Sequence, residues 1–199
     1  AHALVIPREL DDVWPMDLAS SVAWRDGLHP GEGSTEPSAL PPMPAGSLAA
    51  IPLDTLSEFL RMTNHGHLLP VMLRAVFQRT QDARSLVIRA AAAEDAVTWI
   101  NCLQRAFPVR CLGQLTAATY QADPAQCLHI NGTYGSSDFL FNETEMKYQF
   151  YMFDLVDDRH SEVPEVYTEY VDQVSTWMRD DPSTLGAFQE FAKLFSVDE

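Results

Sequence analysis

Hydrophobic residues recur at helical spacing in two consecutive segments that follow residue 50. The first segment predicts a helix over residues 53–63, and the second predicts a helix with Pro70 in its first turn, where a missing amide hydrogen costs nothing. We expect Gly66, between them, to adopt a left-handed conformation that ends the first helix. The pattern therefore predicts a helical pair.

A strand followed by a helix comes next along the chain. Residues 85–90 form a short run with β-branched side chains, bounded by polar residues, which predicts a buried strand. Apolar residues then recur at spacings of four, three and four along one helical face, which Pro108 closes. These residues are Ala96, Ile100, Leu103 and Phe107.

Three further strand candidates lie at residues 116–120, 127–131 and 147–156. The last is apolar on both alternating faces, which is typical of a strand covered on both sides of a sheet. We expect residues 132–137 to form a glycine-containing turn. Together the elements predict an α/β or layered α+β fold, in which a central sheet of about four strands is covered by helices.

Two helices are predicted at the end of the chain, with Asp181-Pro182 at the start of the second. We expect their apolar faces to pack on the sheet and their outer faces to carry charge. The apolar positions are Val166, Tyr170, Val174 and Trp177 or Met178 in the first helix, and Leu185, Phe188, Ala192 and Phe195 in the second.

Composition divides the chain into three regions. Residues 27–47 contain nine glycine or proline residues and almost no large apolar side chain, which predicts a linker or surface loop. Residues 1–26 open on an apolar, strand-like run and are interpreted as the C-terminal edge of a preceding domain. Residues 48–199 are interpreted as a single α/β domain, so we expect the sequence to be a fragment of a longer polypeptide.

The chain is acidic, because 28 Asp and Glu residues oppose 13 Lys and Arg residues and give a formal net charge of -15. Such a charge disfavours nucleic acid and anionic membranes as partners. Residues 151–199 alone carry a net charge of -9. An acidic outer face is usually a solvated surface. If it instead binds a partner, we expect Glu165, Glu169 and Asp172 to contact a basic protein.

No cofactor is predicted. Residues 132–137 lack the spacing of a phosphate-binding loop. Cys102, Cys111 and Cys127 lack the paired spacing of a zinc ribbon and are interpreted as buried, reduced thiols. No apolar segment reaches the length of a membrane span and no signal peptide is visible, which favours a cytoplasmic protein.

Two groups of residues suggest metal chemistry. Asp154, Asp157, Asp158 and His160 lie at the exit of the last predicted strand, where convergent carboxylates can bind a divalent metal for hydrolysis. The alternative is a polar turn that ends the strand. His65 and His67 offer two imidazoles in a loop, but a catalytic zinc site needs a third protein ligand, so a helix-ending turn is the simpler interpretation.

Residues 85–139 have an order of motifs that is typical of a known family. The strand Leu86–Arg89 precedes a helix with Trp99-Ile100 that ends at Phe107-Pro108, and then come Thr119-Tyr120 and His129-Ile-Asn-Gly-Thr133. This order resembles the middle domain of the bacterial GTPase-associated protein family, and His2-Ala-Leu-Val5 is similar to the end of that family's N-terminal domain. The resemblance implies a prokaryotic companion of a small GTPase in multi-component systems that counter invading elements, and it implies no catalytic residues.

The sequence thus leaves two functional hypotheses. The lack of a complete catalytic constellation, together with the resemblance, favours a non-catalytic protein-interaction module of a GTPase-associated, conflict-type system. Its expected partner is a protein, such as a small GTPase encoded nearby. The alternative is a metal-dependent hydrolase or nuclease that uses Asp154, Asp157, Asp158 and His160, and it requires those four side chains to converge.

Overall fold

The structure, a computed structural model, describes residues 51–108, 111, 115–121, 128–135 and 148–194. The predicted linker at 27–47 and the preceding residues 1–26 lie outside these ranges. In chain order, the described part contains five helices and five strands: α1 Leu53–Met62, α2 Leu69–Asp82, β1 Ser85–Ala90, α3 Ala93–Arg105, β2 Ala117–Ala118, β3 Ile130–Tyr134, β4 Phe150–Asp154, β5 Arg159–His160, α4 Thr168–Asp180 and α5 Pro182–Leu194.

The strands form one mixed sheet in the order β2-β3-β1-β4-β5. The central strand β1 pairs in parallel with both β3 and β4, whereas the short β5 pairs antiparallel with β4. The predicted α/β layered fold is confirmed. The four predicted strands correspond to β1, β2, β3 and β4, and the sequence pattern did not predict β5, which contains only two residues.

Residues from all five described helices share one core with one face of this sheet. Leu86 and Ile88 of β1 and Tyr151 and Phe153 of β4 supply most of the strand side chains in that core. On the opposite face, the β4 residue Met152 is also fully buried. Both faces of β4 are therefore covered, as its unbroken apolar pattern predicted.

Two glycines occupy positions of close backbone approach. The interpretation of Gly66 was wrong, and the turn predicted at 132–137 begins only after β3, where Gly135 has φ 62°, while residues 136–137 lie outside the described residues. Gly66 begins a single turn of 3₁₀ helix and is not left-handed; a Cβ there would lie 2.0 Å from the carbonyl oxygen of Leu60. Gly132 belongs to β3 and not to a turn, and its Cβ would lie 2.5 Å from the carbonyl oxygen of Thr119. Glycine is needed at both because a side chain would collide with backbone.

The C-terminal helices pack on other helices. The prediction that they pack directly on the sheet was wrong, because α4 contacts mainly α1, α2 and α5. Ser57 of α1 donates a 2.6 Å hydrogen bond from its hydroxyl to the carbonyl oxygen of Arg179 in α4. Val166 precedes α4, whose buried apolar side chains are Val171, Val174 and Met178. Asp181 caps α5 by accepting the Thr184 amide, as the Asp-Pro pair predicted.

The two described cysteines differ in environment. Cys102 is fully buried in the core, and this burial raises the pKa of its thiol far above the ordinary value. Cys111 is exposed, so its interpretation as a buried thiol was wrong, and Cys127 lies outside the described residues. Cys102 therefore behaves as a small apolar core residue.

Candidate functional site at the carboxyl edge of the sheet

The carboxyl ends of the four parallel strands, β1 to β4, meet at one edge of the sheet. The chain leaves β1 toward β2 and β3 on one side, whereas β4 continues to β5 on the other side. The connections thus diverge between β1 and β4, which makes this point a topological switch point, the usual location of ligands in open α/β sheets. The site described below lies there.

Four charged side chains at this edge form a continuous network, here called the arginine-aspartate cluster: Arg89, Asp154, Asp157 and Arg159. Arg89 Nη1 lies 2.9 Å from Asp154 Oδ2 and 3.0 Å from Asp157 Oδ2. Arg159 Nη2 lies 3.4 Å and 3.2 Å from the same two oxygens. Each aspartate therefore faces two guanidinium groups.

Asp154 anchors the cluster from within the protein. Its side chain is only 1% exposed, and its Oδ1 accepts the backbone amides of Val156 and Asp157 at 3.2 Å each. Burial opposes ionisation, but the Asp157 amide, the Arg89 guanidinium and the Val156 amide together outweigh it and hold the pKa of Asp154 below its ordinary value. Asp154 is therefore a charged structural group at neutral pH.

Asp157 and Arg159 form the solvent side of the cluster. Asp157 is 51% exposed and Arg159 is 48% exposed, whereas Arg89 is 29% exposed. Asp157 belongs to the turn between β4 and β5, which Asp154 holds through its amide hydrogen bonds. If the Asp157 side chain moves into solvent, Asp154 can still contact both Arg89 and Arg159.

The remaining two predicted site residues turn away from the cluster. Asp158 has a left-handed backbone with φ 51°, is 83% exposed, and places Oδ1 at 3.3 Å from Nε2 of His65. His160 stacks on Phe153 with ring centroids 5.7 Å apart, and its Nδ1 lies 3.0 Å from the carbonyl oxygen of Ser161. Neither side chain shares a ligand position with Asp154.

The metal hypothesis requires a convergent ligand set, which these four residues do not provide. Within the described ranges, no group of three or more His, Cys, Asp or Glu side chains is arranged to hold a metal ion. His67 does not join His65 either, because its Nδ1 lies 3.1 Å from the carbonyl oxygen of Asn64. In the structure, this segment forms the turn that follows β4, and Asp154 accepts the Val156 and Asp157 amides of that turn.

The predicted partner-binding residues lie on a different part of the molecule. Glu165 and Glu169 are exposed, the first in the segment before α4 and the second in its first turn. Asp172 is 54% exposed and pairs with Arg74 of α2 at 2.9 Å. These three residues are called the acidic surface below.

The comparison with known families identifies the domain. The model of the GTPase-associated protein 1 middle domain matches residues 56–157, about half of the chain. The chain belongs to this family. The GTPase-associated match begins in α1 and ends in the turn after β4, so it contains Arg89, Asp154 and Asp157. Helices α4 and α5 follow the matched region and nevertheless share its core.

The other comparisons found no further protein that is similar to this GTPase-associated domain. No curated protein and no solved structure is significantly similar to the chain. Among the helices of the described part, none is both long enough and apolar enough to cross a bilayer.

Sequence reasoning missed both arginines of the cluster, Arg89 and Arg159, and also Thr133 beside it. Arg89 is the one charged residue in the apolar strand β1. A charged side chain in such a strand is expected to be paired, and this signal could have identified Arg89 as part of the site. Thr133 aligns with Arg89 in the β1-β3 register, and Arg89 aligns with Asp154 in the β1-β4 register. The three side chains thus leave the same face of the sheet in one row. Only the strand order reveals this row.

Proposed function

We propose that this GTPase-associated domain is a non-catalytic protein-interaction module of a prokaryotic, conflict-type system, and that its partner is a protein such as a small GTPase encoded nearby. Family membership supports the association with a GTPase. The condition of the candidate catalytic groups supports the absence of catalysis: Asp154 and Asp157 are neutralised by arginines, and Asp158 and His160 face elsewhere.

The acidic surface supports the docking of a basic partner. The acidic C-terminal quarter carries a net charge of -9, and Glu165, Glu169 and Asp172 expose carboxylates in and just before α4. Only Asp172 has an arginine partner within the described residues, and that pair is exposed. Exposed charges of one sign act mainly on the rate of association with a partner of opposite charge.

The test reverses the charge of the acidic surface. Glu165→Lys, Glu169→Lys and Asp172→Lys are combined in the full-length protein, and association with proteins encoded next to it is measured by surface plasmon resonance. At low salt we expect the association rate constant to fall by about tenfold or more, since electrostatic steering supplies that much. The difference should shrink at 0.15 M salt, where the screening length is about 8 Å.

A matched control separates the position of the charges from their number. Glu58→Lys, Glu94→Lys and Glu190→Lys change the net charge equally at three exposed residues of other helices. This control should retain most of the association rate. Equal rates for both triple variants, or a parental rate for the first one at low salt, would contradict the docking proposal.

A further inference from the structure

We propose that the arginine-aspartate cluster is a carboxylate-binding site, that its ligand is an acidic side chain of a polypeptide partner, and that Asp157 is the occupant it holds in the free protein. The existence of a polypeptide partner rests on the proposed function. The carboxylate site itself is argued from Arg89, Thr133, Asp154 and Arg159.

The geometry already shows a carboxylate bound between two arginines. Asp157 Oδ2 lies 3.0 Å from Arg89 Nη1 and 3.2 Å from Arg159 Nη2. Guanidinium groups match the planar geometry of carboxylates and are more weakly hydrated than ammonium groups, so a second carboxylate can take the place of Asp157 at both arginines. Asp157 is 51% exposed, which leaves its position open to exchange from solvent.

The cluster remains organised when Asp157 leaves. Buried Asp154 still contacts both arginines, through Arg89 at 2.9 Å and Arg159 at 3.4 Å. Two guanidinium groups and one carboxylate then carry a net charge of +1. An incoming single carboxylate restores neutrality, just as Asp157 does in the free protein.

Thr133 supplies a second, independent indication of a ligand. Its side chain is fully buried, and within the described residues its Oγ1 has no hydrogen-bond partner. A buried hydroxyl without a partner is uncommon in folded proteins because it loses its hydrogen bonds to water. Thr133 is paired with Arg89 in register, about 4.8 Å away along the sheet, and on the same face. The register places this hydroxyl beside Arg89, on the side of β1 opposite Asp154. The proposal has the bound carboxylate accept a hydrogen bond from it.

The chemistry of the surroundings favours a carboxylate over a phosphate. The chain has a net charge of -15, which repels a doubly charged phosphate more strongly than a singly charged carboxylate. Gly132, which precedes Thr133 in the chain, is held within β3 against Thr119 and does not form a phosphate-binding loop. The ligand is thus a single carboxylate, and the partner that carries it must be basic elsewhere on its surface in order to approach this acidic chain.

The experiment uses acetate as the probe and Asp157→Ala to empty the site. Melting temperatures of this variant are recorded while sodium acetate replaces sodium chloride at constant ionic strength. Asp172→Ala is the matched control, because Asp172 is similarly exposed at 54% and, among the described residues, pairs with one arginine only. We expect acetate to raise the melting temperature of Asp157→Ala by about 2–4 °C more than that of Asp172→Ala. If Asp157→Ala does not fold, Asp157→Ser replaces it, because serine also removes the carboxylate that occupies the site.

A second variant distinguishes ligand binding from a structural role. Thr133→Val removes the unpaired hydroxyl, so we expect the unliganded protein to melt at the same or a higher temperature. In the Asp157→Ala background, the same change should weaken acetate binding by about fivefold or more, measured by titration of arginine side-chain NMR signals, since one hydrogen bond to the ligand is lost. Unchanged acetate affinity would remove Thr133 from the site and overturn this part of the proposal.

The outcomes separate this proposal from the proposed function. Equal acetate effects on both alanine variants would overturn the carboxylate site, and a stronger effect of inorganic phosphate than of acetate would overturn the ligand class. Neither result affects partner association, which is measured separately at the acidic surface. Conversely, if the charge-reversal experiment contradicts the docking of a partner, the result for acetate binding by Asp157→Ala still stands.

Discussion

Replacing Asp154 with asparagine tests whether a buried carboxylate holds the carboxyl edge of the sheet together. Asparagine has the same shape and keeps one oxygen to accept the amides of Val156 and Asp157, now at 3.2 Å. Its amide nitrogen is a donor, however, and cannot accept from the guanidinium of Arg89. The substitution thus removes the negative charge and one acceptor with little change in volume.

The magnitude follows from the burial of the two partners. Removing one partner of a fully buried ion pair costs about 3–5 kcal/mol. Asp154 is 1% exposed, but Arg89 is 29% exposed and retains Asp157 at 3.0 Å. We therefore expect a smaller loss of about 2–3 kcal/mol in the free energy of unfolding at pH 7, since solvent screens the remaining arginine. For a chain of this size the melting temperature falls by about 5–10 °C.

The pH dependence identifies the charge as the cause. The pKa of Asp154 is lower in the folded protein than its ordinary value of about 3.9, so the unfolded chain binds the proton more readily. The stability that Asp154 contributes is then fully present above about pH 5 and is lost as the pH falls through the folded pKa. Because the asparagine variant has no such group, its disadvantage should shrink below about pH 4.

Urea unfolding followed by circular dichroism measures both quantities, at pH 7 and at about pH 3.5. The control is Asp172→Asn, which breaks an exposed pair with Arg74 and should cost less than about 1 kcal/mol. The reasoning is refuted if the two variants lose equal stability at pH 7. It is also refuted if the deficit of Asp154→Asn is the same at both pH values.

Two further predictions concern backbone packing and metals. Gly66→Ala should lower the free energy of unfolding by about 2 kcal/mol or more in urea unfolding, because the new Cβ would meet the Leu60 carbonyl oxygen at 2.0 Å. Gly186 lies inside α5, and an added Cβ there would make an ordinary 3.6 Å contact with Leu53 of α1. Gly186→Ala should therefore raise the free energy of unfolding by up to about 1 kcal/mol. Equal effects of the two substitutions would contradict this reasoning. Magnesium, manganese or zinc should leave the melting temperature unchanged in scanning fluorimetry, whereas a metal at a hundred times its dissociation constant would stabilise the fold by about 2.7 kcal/mol. A metal-dependent shift that Asp154→Asn abolishes would favour the hydrolase alternative.

Much of the local structure could be predicted from the sequence. The helix predicted at 53–63 is Leu53–Met62, and the strand predicted at 85–90 has those bounds in the structure. Both depend on signals within one segment: the spacing of apolar residues, a proline at a helix start, and β-branched residues in a short run. The motif order in residues 85–139 likewise placed the chain in the correct family.

Where the signals within a segment were weak, the predictions shifted. The strand expected at 127–131 lies at Ile130–Tyr134, because pairing with β1 and the close approach of Thr119 hold Gly132 in the sheet. The C-terminal helices have the predicted amphipathic pattern, but that pattern does not name the surface they cover. They pack on α1 and α2, and their buried apolar side chains join the same core as those helices.

The candidate site shows the same division most clearly. The sequence by itself determined that Asp154, Asp157 and Asp158 follow a buried strand, and that Arg89 interrupts another one. Only the tertiary structure decided that Arg89 lies between Asp154 and Thr133, because strand order and register are set by long-range pairing and not by neighbours in the chain. That pairing places two arginines against the aspartates, and it converts an apparent set of metal ligands into a neutral ion-pair network.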